Sequence, residues 1–311
     1  IWGYIPFGLS LRNQFYLPFL LTGMGVCLPC LFIRTTPAVT DRRSSRWLMI
    51  VAIGIAFFAL SGGFIRNHRI NPNNNDTTPI TIMTYNMQQG SLDNGNRSYE
   101  QQLALLRRVN PDILGLQECD TARPSGGNVD AVRYFAESMG YGYMYYGPNT
   151  VAGTFGTAIL SRYPISNCRT FFTYSDTDEI GTAACDIDIQ GKTVLFLCCH
   201  PAGTDDSMKA FVDALLKEQS SYEHIIALGD FNFRPTSTHY QRVISELKCA
   251  AEEVGDSKIN FHGGKRDMSR KIDHIFLSDN LSAIESHYLP PPDSKTDHPA
   301  HWSVIRFHDA P

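Results

Sequence analysis

The sequence lacks the excess of basic residues that a general nucleic-acid binder needs. Lys and Arg number 27 against 31 Asp and Glu, so the formal net charge is −4. The first 76 residues hold seven Arg against two Asp, which leaves 20 basic and 29 acidic groups beyond them, a balance of −9. Non-specific binding of a phosphate backbone depends on many Lys and Arg contacts. The composition therefore argues against tight duplex binding, although a local basic groove remains compatible with it.

A metal-binding or disulfide pattern is also missing among the eight cysteines. Cys27 and Cys30 form a C-x-x-C pair, but it lies in an apolar run with no second Cys or His pair nearby. Cys198 and Cys199 are adjacent and would point to opposite faces of a strand. The spacing predicts no zinc site and no disulfide framework.

Charged residues are absent from two apolar runs, residues 15–33 and 47–65. Each is close to the ~20 residues that an α-helix needs to cross a bilayer, which predicts a membrane anchor over residues 1–70 with two transmembrane helices. Pro18 and Pro29 would kink the first span, which membrane helices tolerate. The alternative is a pair of buried core helices, which seldom run this long without a charge.

The loop between these two runs carries Arg34, Arg42, Arg43 and Arg46. Under the positive-inside rule this loop is cytoplasmic, so the second helix would deliver the rest of the chain to the extracytoplasmic side. We expect an integral protein of the inner membrane that contacts the lipid bilayer through its N-terminal helices. No obligate protein partner is evident from the sequence.

A polar linker, residues 71–79, separates the anchor from a globular domain over residues 80–311. In this domain eight short apolar stretches are typical of buried strands: ITIMTYN, ILGLQE, GTAILS, AACDIDI, TVLFLCCH, HIIALGD, KIDHIFLS and HWSVIRF. Helical patterns interrupt them at residues 99–109, 131–139, 207–220 and 239–248. Many short strands with interspersed helices predict an α/β sandwich of two packed sheets flanked by helices.

Polar side chains recur where these predicted strands begin or end. A single Asp or Asn after a strand is usually a turn former, and a single His is usually structural. Because strand ends on one edge of a sheet converge in space, a larger set in one domain predicts an active site. The residues of this set are Asn86, Glu118, His200, Asp230, Asn232, Asp273, Asp297 and His298.

The oxygen atoms in this set suit a hard divalent cation. Asn86, Glu118 and Asp297 offer the ligands that Mg²⁺ or Mn²⁺ prefers. His298 is a candidate proton acceptor, and a carboxylate such as Asp273 could fix its tautomer.

The remaining residues suit water and phosphate. Asp230 and Asn232 could position a nucleophilic water, and His200 could donate a hydrogen bond to a phosphoryl oxygen. The set contains no Ser or Cys nucleophile. Together these features predict metal-assisted attack of water on a phosphate ester.

In chain order, the blocks MTYNM, LGLQE, GTAILSRYPI, LFLCCH, ALGDFN, KIDHIFLS and TDHPAHWSV resemble the endonuclease/exonuclease/phosphatase superfamily. This family includes deoxyribonucleases, apurinic endonucleases, neutral sphingomyelinases and inositol polyphosphate phosphatases. The resemblance covers the chain from about residue 80 to residue 307, and GDFN followed by IDHIF and DHP is highly specific in that order. The preceding apolar spans resemble those of membrane-anchored bacterial members.

The resemblance implies a four-layer α/β sandwich and a role for each matching residue. The metal-binding residues it implies are Asn86, Glu118 and Asp297. The catalytic residues it implies are His298, Asp230, Asn232, His200 and Asp273. Asn232 and His200 would also contact the phosphate of the substrate.

The sequence departs from the family pattern at several positions. Gln88 stands where many members carry Arg, so a basic group near the metal is absent. CCHPAG replaces the commoner Thr-His-Leu around His200. His274 stands at an often aromatic position and is interpreted as a strand residue, with an extra phosphate contact as the alternative. Arg162 is interpreted as structural, with a substrate contact as the alternative.

The sequence thus predicts a Mg²⁺-dependent phosphoesterase, with Mn²⁺ as a possible substitute and a nuclease-type phosphodiester as the first substrate class. The alternatives are a sphingomyelinase-like phospholipase or a small-molecule phosphatase. A phospholipase would need an exposed apolar loop near the site, for which MYYGPNTVAGTF is the candidate. A non-catalytic binding module is the remaining alternative, and retention of the whole polar set argues against it.

Overall fold

The computed structural model describes residues 79–92, 95–120, 129–147, 155–174, 179–201, 203–255, 271–291 and 293–308, with scattered positions between 21 and 57. The chain divides into two compact units, Ile5–Ile70 in one and Ile1–Tyr4 with Asn71–Pro311 in the other. The sheets and the candidate site described below belong to the second unit.

In the first unit the described positions are helical, and their apolar side chains are exposed. Leu21, Trp47, Ile53 and Phe57 are 66%, 62%, 62% and 72% exposed. No helix made of described residues is long and apolar enough to cross a membrane. The two predicted spans, residues 15–33 and 47–65, lie for the most part outside the described residues.

The second unit contains twelve described strands and five described α-helices. The strands are β1 Ile80–Asn86, β2 Ile113–Asp120, β3 Tyr143–Tyr146, β4 Phe155–Ser161, β5 Ile165–Tyr174, β6 Glu179–Ile189, β7 Lys192–Cys199, β8 His224–Asp230, β9 Lys248–Cys249, β10 Asp273–Leu277, β11 Leu281–Leu289 and β12 Ala300–Phe307. The helices are α1 Tyr99–Val109, α2 Ala131–Met139, α3 Asp205–Gln219, α4 Thr238–Ile244 and α5 Ala250–Glu253, and a 3-10 helix spans Gln88–Gly90.

The strands form two six-stranded mixed sheets. The first has the order β11-β12-β1-β2-β4-β3 and the second β5-β6-β7-β8-β10-β9. Within each sheet one central pair is parallel, β1 with β2 and β7 with β8, and the remaining pairs are antiparallel. This is the two-sheet arrangement that the sequence predicts.

Alternating side chains divide the hydrophobic core into three layers. Ile82 on β1 packs with Phe196 on β7 and Ile226 on β8 in the cluster between the sheets. On its outer face the first sheet packs against α1 and α2, and the second packs against α3 and α4. The order helix, sheet, sheet, helix is therefore a four-layer α/β sandwich.

Local sequence signals set the ends of the helices. The Asp130 side chain accepts the N–H of Arg133 at the start of α2, and Gly140 ends this helix in the left-handed conformation. The predicted helix over residues 239–248 is too long, because α4 ends at Ile244. Lys248 and Cys249 instead form β9, which pairs with β10 and buries Cys249.

The strand directions bring the predicted polar residues to one end of the sandwich. Asn86 pairs with Gln117 in the parallel β1–β2 ladder, and Cys199 pairs with Gly229 in the parallel β7–β8 ladder. Residues that follow these four positions therefore emerge at carboxyl ends of parallel strands. Asp273 opens the antiparallel strand β10 opposite Asp230, so it lies at the same end.

Candidate active site

Asp230 ends β8 at a point where two parallel strands approach each other closely. The preceding Gly229 has φ 150°, and a Cβ added there would lie 2.0 Å from the carbonyl oxygen of Cys199 on β7. Only glycine permits this approach. Asp230 is itself only 2% exposed, so its carboxylate needs polar partners inside the protein.

The partners of Asp230 come from four different parts of the chain. Its Oδ1 accepts the backbone N–H of Asn232 at 3.0 Å, and its Oδ2 accepts Nδ2 of Asn86 at 3.1 Å. Nε2 of His200 and Nε2 of His298 each lie 3.6 Å from that same Oδ2. Asp230 is thus the centre of a cluster that includes five of the other predicted site residues, because Asp273 joins it through His298.

Asn86, the last residue of β1, connects Glu118 and Asp230 through its amide group. Nδ2 donates to Oε1 of Glu118 at 3.2 Å as well as to Asp230, and Oδ1 accepts the backbone N–H of Gln88 at 3.1 Å. Asn86 is fully buried. Because its donors and its acceptor are engaged in different directions, the amide orientation is fixed by these contacts.

Glu118 adopts a backbone conformation that is rare outside glycine. Its φ is 50°, and the β2–β4 register shifts between Leu116 and Cys119, so Glu118 lies in a β-bulge. A non-glycine residue in the left-handed region costs on the order of 1 kcal/mol or more and persists where the surroundings hold it. Bulges of this kind redirect a side chain next to an active site.

Asn232 also has a left-handed backbone, with φ 55°. Its N–H is bonded to Asp230, and its Nδ2 donates to the carbonyl oxygen of Pro201 at 3.0 Å. Pro201 follows His200, so this contact ties the end of β7 to the end of β8. Asn232 therefore holds the His200 loop beside Asp230.

His298 pairs with the buried carboxylate of Asp273. Nδ1 of His298 lies 3.1 Å from Oδ2 and 3.3 Å from Oδ1 of Asp273. The backbone of Asp273 is held in turn, because its carbonyl oxygen accepts the Tyr288 hydroxyl at 2.9 Å. With Nδ1 engaged, Nε2 is the atom of His298 that lies near Asp230.

Charge and burial shift the proton equilibria of this pair. Burial alone would lower the pKa of His298, but the facing carboxylates of Asp273 and Asp230 outweigh it and raise the pKa of His298 to about 10. Burial raises the pKa of Asp273, which the nearby His298 partly offsets. The pair therefore favours a protonated imidazole beside two carboxylates.

A hydrogen-bonded loop carries Asp297 and His298 to the end of β1. The Thr296 hydroxyl donates to the carbonyl oxygen of Asn86 at 3.0 Å and accepts the N–H of His298 at 3.1 Å. The N–H of Asp297 donates to Oε1 of Gln88 at 3.1 Å. Gln88 thus contacts the backbone of a predicted metal ligand.

A buried glutamine on α1 holds both the end of β1 and the loop that carries Asp297 and His298. Nε2 of Gln102 donates to the carbonyl oxygens of Met87 at 3.0 Å and Lys295 at 3.2 Å. Gln88, Gln102 and Thr296 are not among the site residues that the sequence predicts. For Gln102 the available signal was a polar residue on the buried face of an amphipathic helix.

One group of possible metal ligands lies in the His298 pair itself. Ligand atoms of Asp230, Asp273 and His298 lie within 4.8 Å of one another. His298 already engages Asp273 through Nδ1, so Nε2 is the nitrogen of this side chain that remains for a metal ion. A protonated imidazole offsets only one of the two carboxylate charges, so this group is both an ion-pair cluster and a candidate ligand set for a cation.

The second group is the predicted set of Asn86, Glu118 and Asp297. The atoms that would bind the metal are amide and carboxylate oxygens, which are the ligands that Mg²⁺ and Mn²⁺ prefer. The Asn86 amide contacts Glu118 directly, and Thr296 links Asn86 to the loop that carries Asp297. The residues of this set are therefore consistent with a hard divalent cation.

The surroundings of His274 and Arg162 agree with structural roles for both residues. His274 is fully buried among aromatic rings, and its Nε2 lies 3.0 Å from the carbonyl oxygen of Phe233. Burial lowers the pKa of His274 to about 3, so it is neutral. Arg162 pairs with Asp112 at 2.9 Å, which agrees with a structural role.

The family model for the endonuclease/exonuclease/phosphatase family matches residues 83–298. The match includes most of the chain and all eight predicted site residues. The chain belongs to this family, whose members are hydrolases acting on phosphate esters. The membrane-anchored bacterial subtype that the sequence suggests goes beyond this match.

Solved structures agree with the fold. An endonuclease/exonuclease/phosphatase from Beutenbergia cavernae is 18% identical to this chain, with a TM-score of 0.63. The match covers 75% of this chain and 72% of the Beutenbergia chain. A family protein from Leptotrichia buccalis is 21% identical with a TM-score of 0.59, covering 73% and 100%. The human nocturnin catalytic domain, solved with a bound sulfate anion, is 18% identical with a TM-score of 0.56, covering 74% and 94%.

Proposed function

We propose that this protein hydrolyses a phosphate ester, with a phosphodiester of the nuclease type as its first substrate class. The observation that carries the proposal is the shared contact at Asp230, where an amide and two imidazoles meet one buried carboxylate atom. Perturbed, buried groups of this kind are typical of catalytic sites.

In this proposal Asp230 aligns the attacking water and accepts its proton, and Asn232 helps to hold that water and the phosphate. The His298 imidazolium faces the phosphoryl group through Nε2 and moves a proton during the reaction, while Asp273 keeps it in the correct tautomer. His200 stabilises negative charge on a phosphoryl oxygen.

Asn86, Glu118 and Asp297 would hold Mg²⁺, with Mn²⁺ as a substitute. When bound, such an ion neutralises charge on the phosphate oxygens. Position 88 is Gln, so no Arg at this position can bind the phosphate. The phosphate contacts would therefore depend on His200, His298 and Asn232. The sulfate in the nocturnin structure is consistent with a tetrahedral anion binding to this fold.

The test is turnover of a substrate panel by the full 311-residue chain with Mg²⁺ and with chelator. The panel is DNA, RNA, sphingomyelin, inositol phosphates and a generic phosphodiester. Metal-dependent cleavage of nucleic acid would support the nuclease-type reading. Cleavage of sphingomyelin or of an inositol phosphate alone would instead favour the phospholipase or phosphatase alternative, and folded but inactive protein would favour a binding module.

We also propose that the N-terminal unit attaches the protein to the inner membrane, with the catalytic domain on the extracytoplasmic side. The support is the pair of charge-free runs at residues 15–33 and 47–65 and the exposure of apolar side chains such as Trp47 and Phe57. In cell fractionation the full chain should stay with membranes after alkaline extraction, whereas residues 77–311 expressed alone should not. Recovery of both in the soluble fraction would contradict the anchor.

A further inference from the structure

Two cysteines outside the active site face each other across the β5–β6 ladder. Sγ of Cys185 lies 2.6 Å from Sγ of Cys168, and the Cys185 thiol donates to the Cys168 sulfur. Ordinary contacts between sulfur atoms are longer. The two side chains therefore share one face of the sheet and point at each other.

The backbone at this place suits a covalent link. The β5–β6 register shifts between Ser166 and Arg169, so Asn167 and Cys168 together oppose Cys185 in a bulge. A disulfide joins two sulfur atoms about 2.05 Å apart, so sulfurs that already lie 2.6 Å apart need little movement to form the bond.

The environment makes one thiol accessible and the other protected. Cys168 is partly exposed, whereas Cys185 is fully buried in the core between the sheets. Burial raises the pKa of both thiols, so both are slow nucleophiles at neutral pH. An oxidant would therefore reach Cys168 first, and Cys185 would be the resolving thiol.

We propose that Cys168 and Cys185 form an intramolecular disulfide in an oxidising environment, which fastens the edge strand β5 to β6. The cross-link requires a small-molecule disulfide as oxidant. The Cys168 thiolate attacks one sulfur of the oxidant and releases a small thiolate. Deprotonated Cys185 then attacks Cys168 in the mixed disulfide and releases the second thiolate. The protein pair loses two electrons and two protons, and the oxidant becomes two thiols.

The proposed disulfide would make the folded protein more stable. β5 is an edge strand of the second sheet, with one neighbour. A disulfide that closes a loop of this size constrains the unfolded chain. We expect the melting temperature of the oxidised protein to exceed that of the reduced protein by roughly 5–10 °C.

The test uses the full chain, purified reduced, incubated folded with oxidised glutathione at mildly alkaline pH and then alkylated. Trypsin cleaves after Arg162, Arg169 and Lys192, which places Cys168 in residues 163–169 and Cys185 in residues 170–192. We expect non-reducing mass spectrometry to find these two peptides linked, and reducing agent to separate them. Peptide mapping distinguishes this link from one between Cys27 and Cys30.

The control variant is Cys168→Ser, a small change at a partly exposed position. It should fold, give no linked peptide and lose the difference in melting temperature between oxidised and reduced protein. A link that forms only after denaturation, or no link at all in folded protein, would overturn the proposal. A link without any rise in melting temperature would overturn its stabilising role.

Discussion

At the scale of single residues, one hydrogen bond decides how His298 can act. Asp273 engages Nδ1 at 3.1 Å, so Nε2 is the atom near Asp230. An uncharged amide at position 273 would neither stabilise the imidazolium nor enforce this orientation. In the proposed reaction Asp273 therefore acts through His298, without direct contact with the substrate.

We predict that Asp273→Asn lowers kcat by about 10²–10⁴-fold with little change in KM, because substrate contacts stay in place. Steady-state kinetics on the substrate found in the panel would measure this. Asp293→Asn, at an exposed position, is the matched control and should retain full activity. A variant at position 273 with nearly normal kcat would contradict the role given to this pair.

Gln88 allows a more specific prediction, because it contacts the Asp297 backbone rather than the reacting groups. Gln88→Ala removes this acceptor, and the Mg²⁺ concentration for half-maximal activity should rise several-fold. Gln88→Glu retains an oxygen that can accept the Asp297 N–H and should recover part of the effect. An unchanged Mg²⁺ titration in both variants would show that Gln88 does not position Asp297.

The sequence allowed the eight candidate site residues to be selected, because each carries its own chemistry at a strand end. Gln88, Gln102 and Thr296 were not selected, since they act by bonding to backbone atoms of residues far away in the chain. Their contacts depend on which loops the fold places together. No local pattern indicates that placement.

At the scale of elements, position in the sheet determined which strands could be predicted. The eight stretches recognised in the sequence correspond to central strands, and the four that were missed are β3, β5, β9 and β11. These are the edge strands of the two sheets. Central strands are buried on both faces and appear as apolar runs, whereas edge strands have mixed composition.

The β7–β8 contact yields a prediction about stability. In Gly229→Ala the new Cβ would meet the Cys199 backbone at 2.0 Å, so the strands must separate. We expect a loss of roughly 2–4 kcal/mol in the free energy of unfolding, measured by urea titration. Gly203→Ala is the control, because a Cβ there has no neighbour within 4 Å. Equal stability of both variants would contradict the close packing before Asp230.

At the scale of the whole molecule, the fold buries histidines in their neutral form, and this lowers the stability of the folded state in acid. The pKa of His274 falls from its ordinary 6.5 to about 3 on folding, because burial disfavours the imidazolium. The unfolded chain thus binds this proton first as the pH drops. The stabilisation from a neutral His274 is present above pH 6.5 and is lost between that value and about 3.

Comparison with His274→Phe isolates the effect of His274 on the pH dependence of stability. The His298–Asp273 pair has the opposite effect, because folding raises the pKa of both its members. Between pH 6 and pH 4.5, the free energy of unfolding of the natural chain should fall more steeply than that of the variant, by up to about 1.4 kcal/mol per pH unit. Urea unfolding at each pH measures it. Parallel pH curves would mean that His274 does not become more basic on unfolding.

The central claim is hydrolysis of a phosphate ester at the cluster around Asp230, and the most direct measurement compares two histidine variants. His298 lies in the cluster, whereas His287 is exposed and pairs with Glu285 on β11. Turnover of the substrate panel would be followed with Mg²⁺ and with chelator for the natural chain, His298→Ala and His287→Ala. We predict metal-dependent turnover that falls by about 10²–10⁴-fold in His298→Ala and is unchanged in His287→Ala. Equal turnover in all three proteins would contradict the assignment of this site.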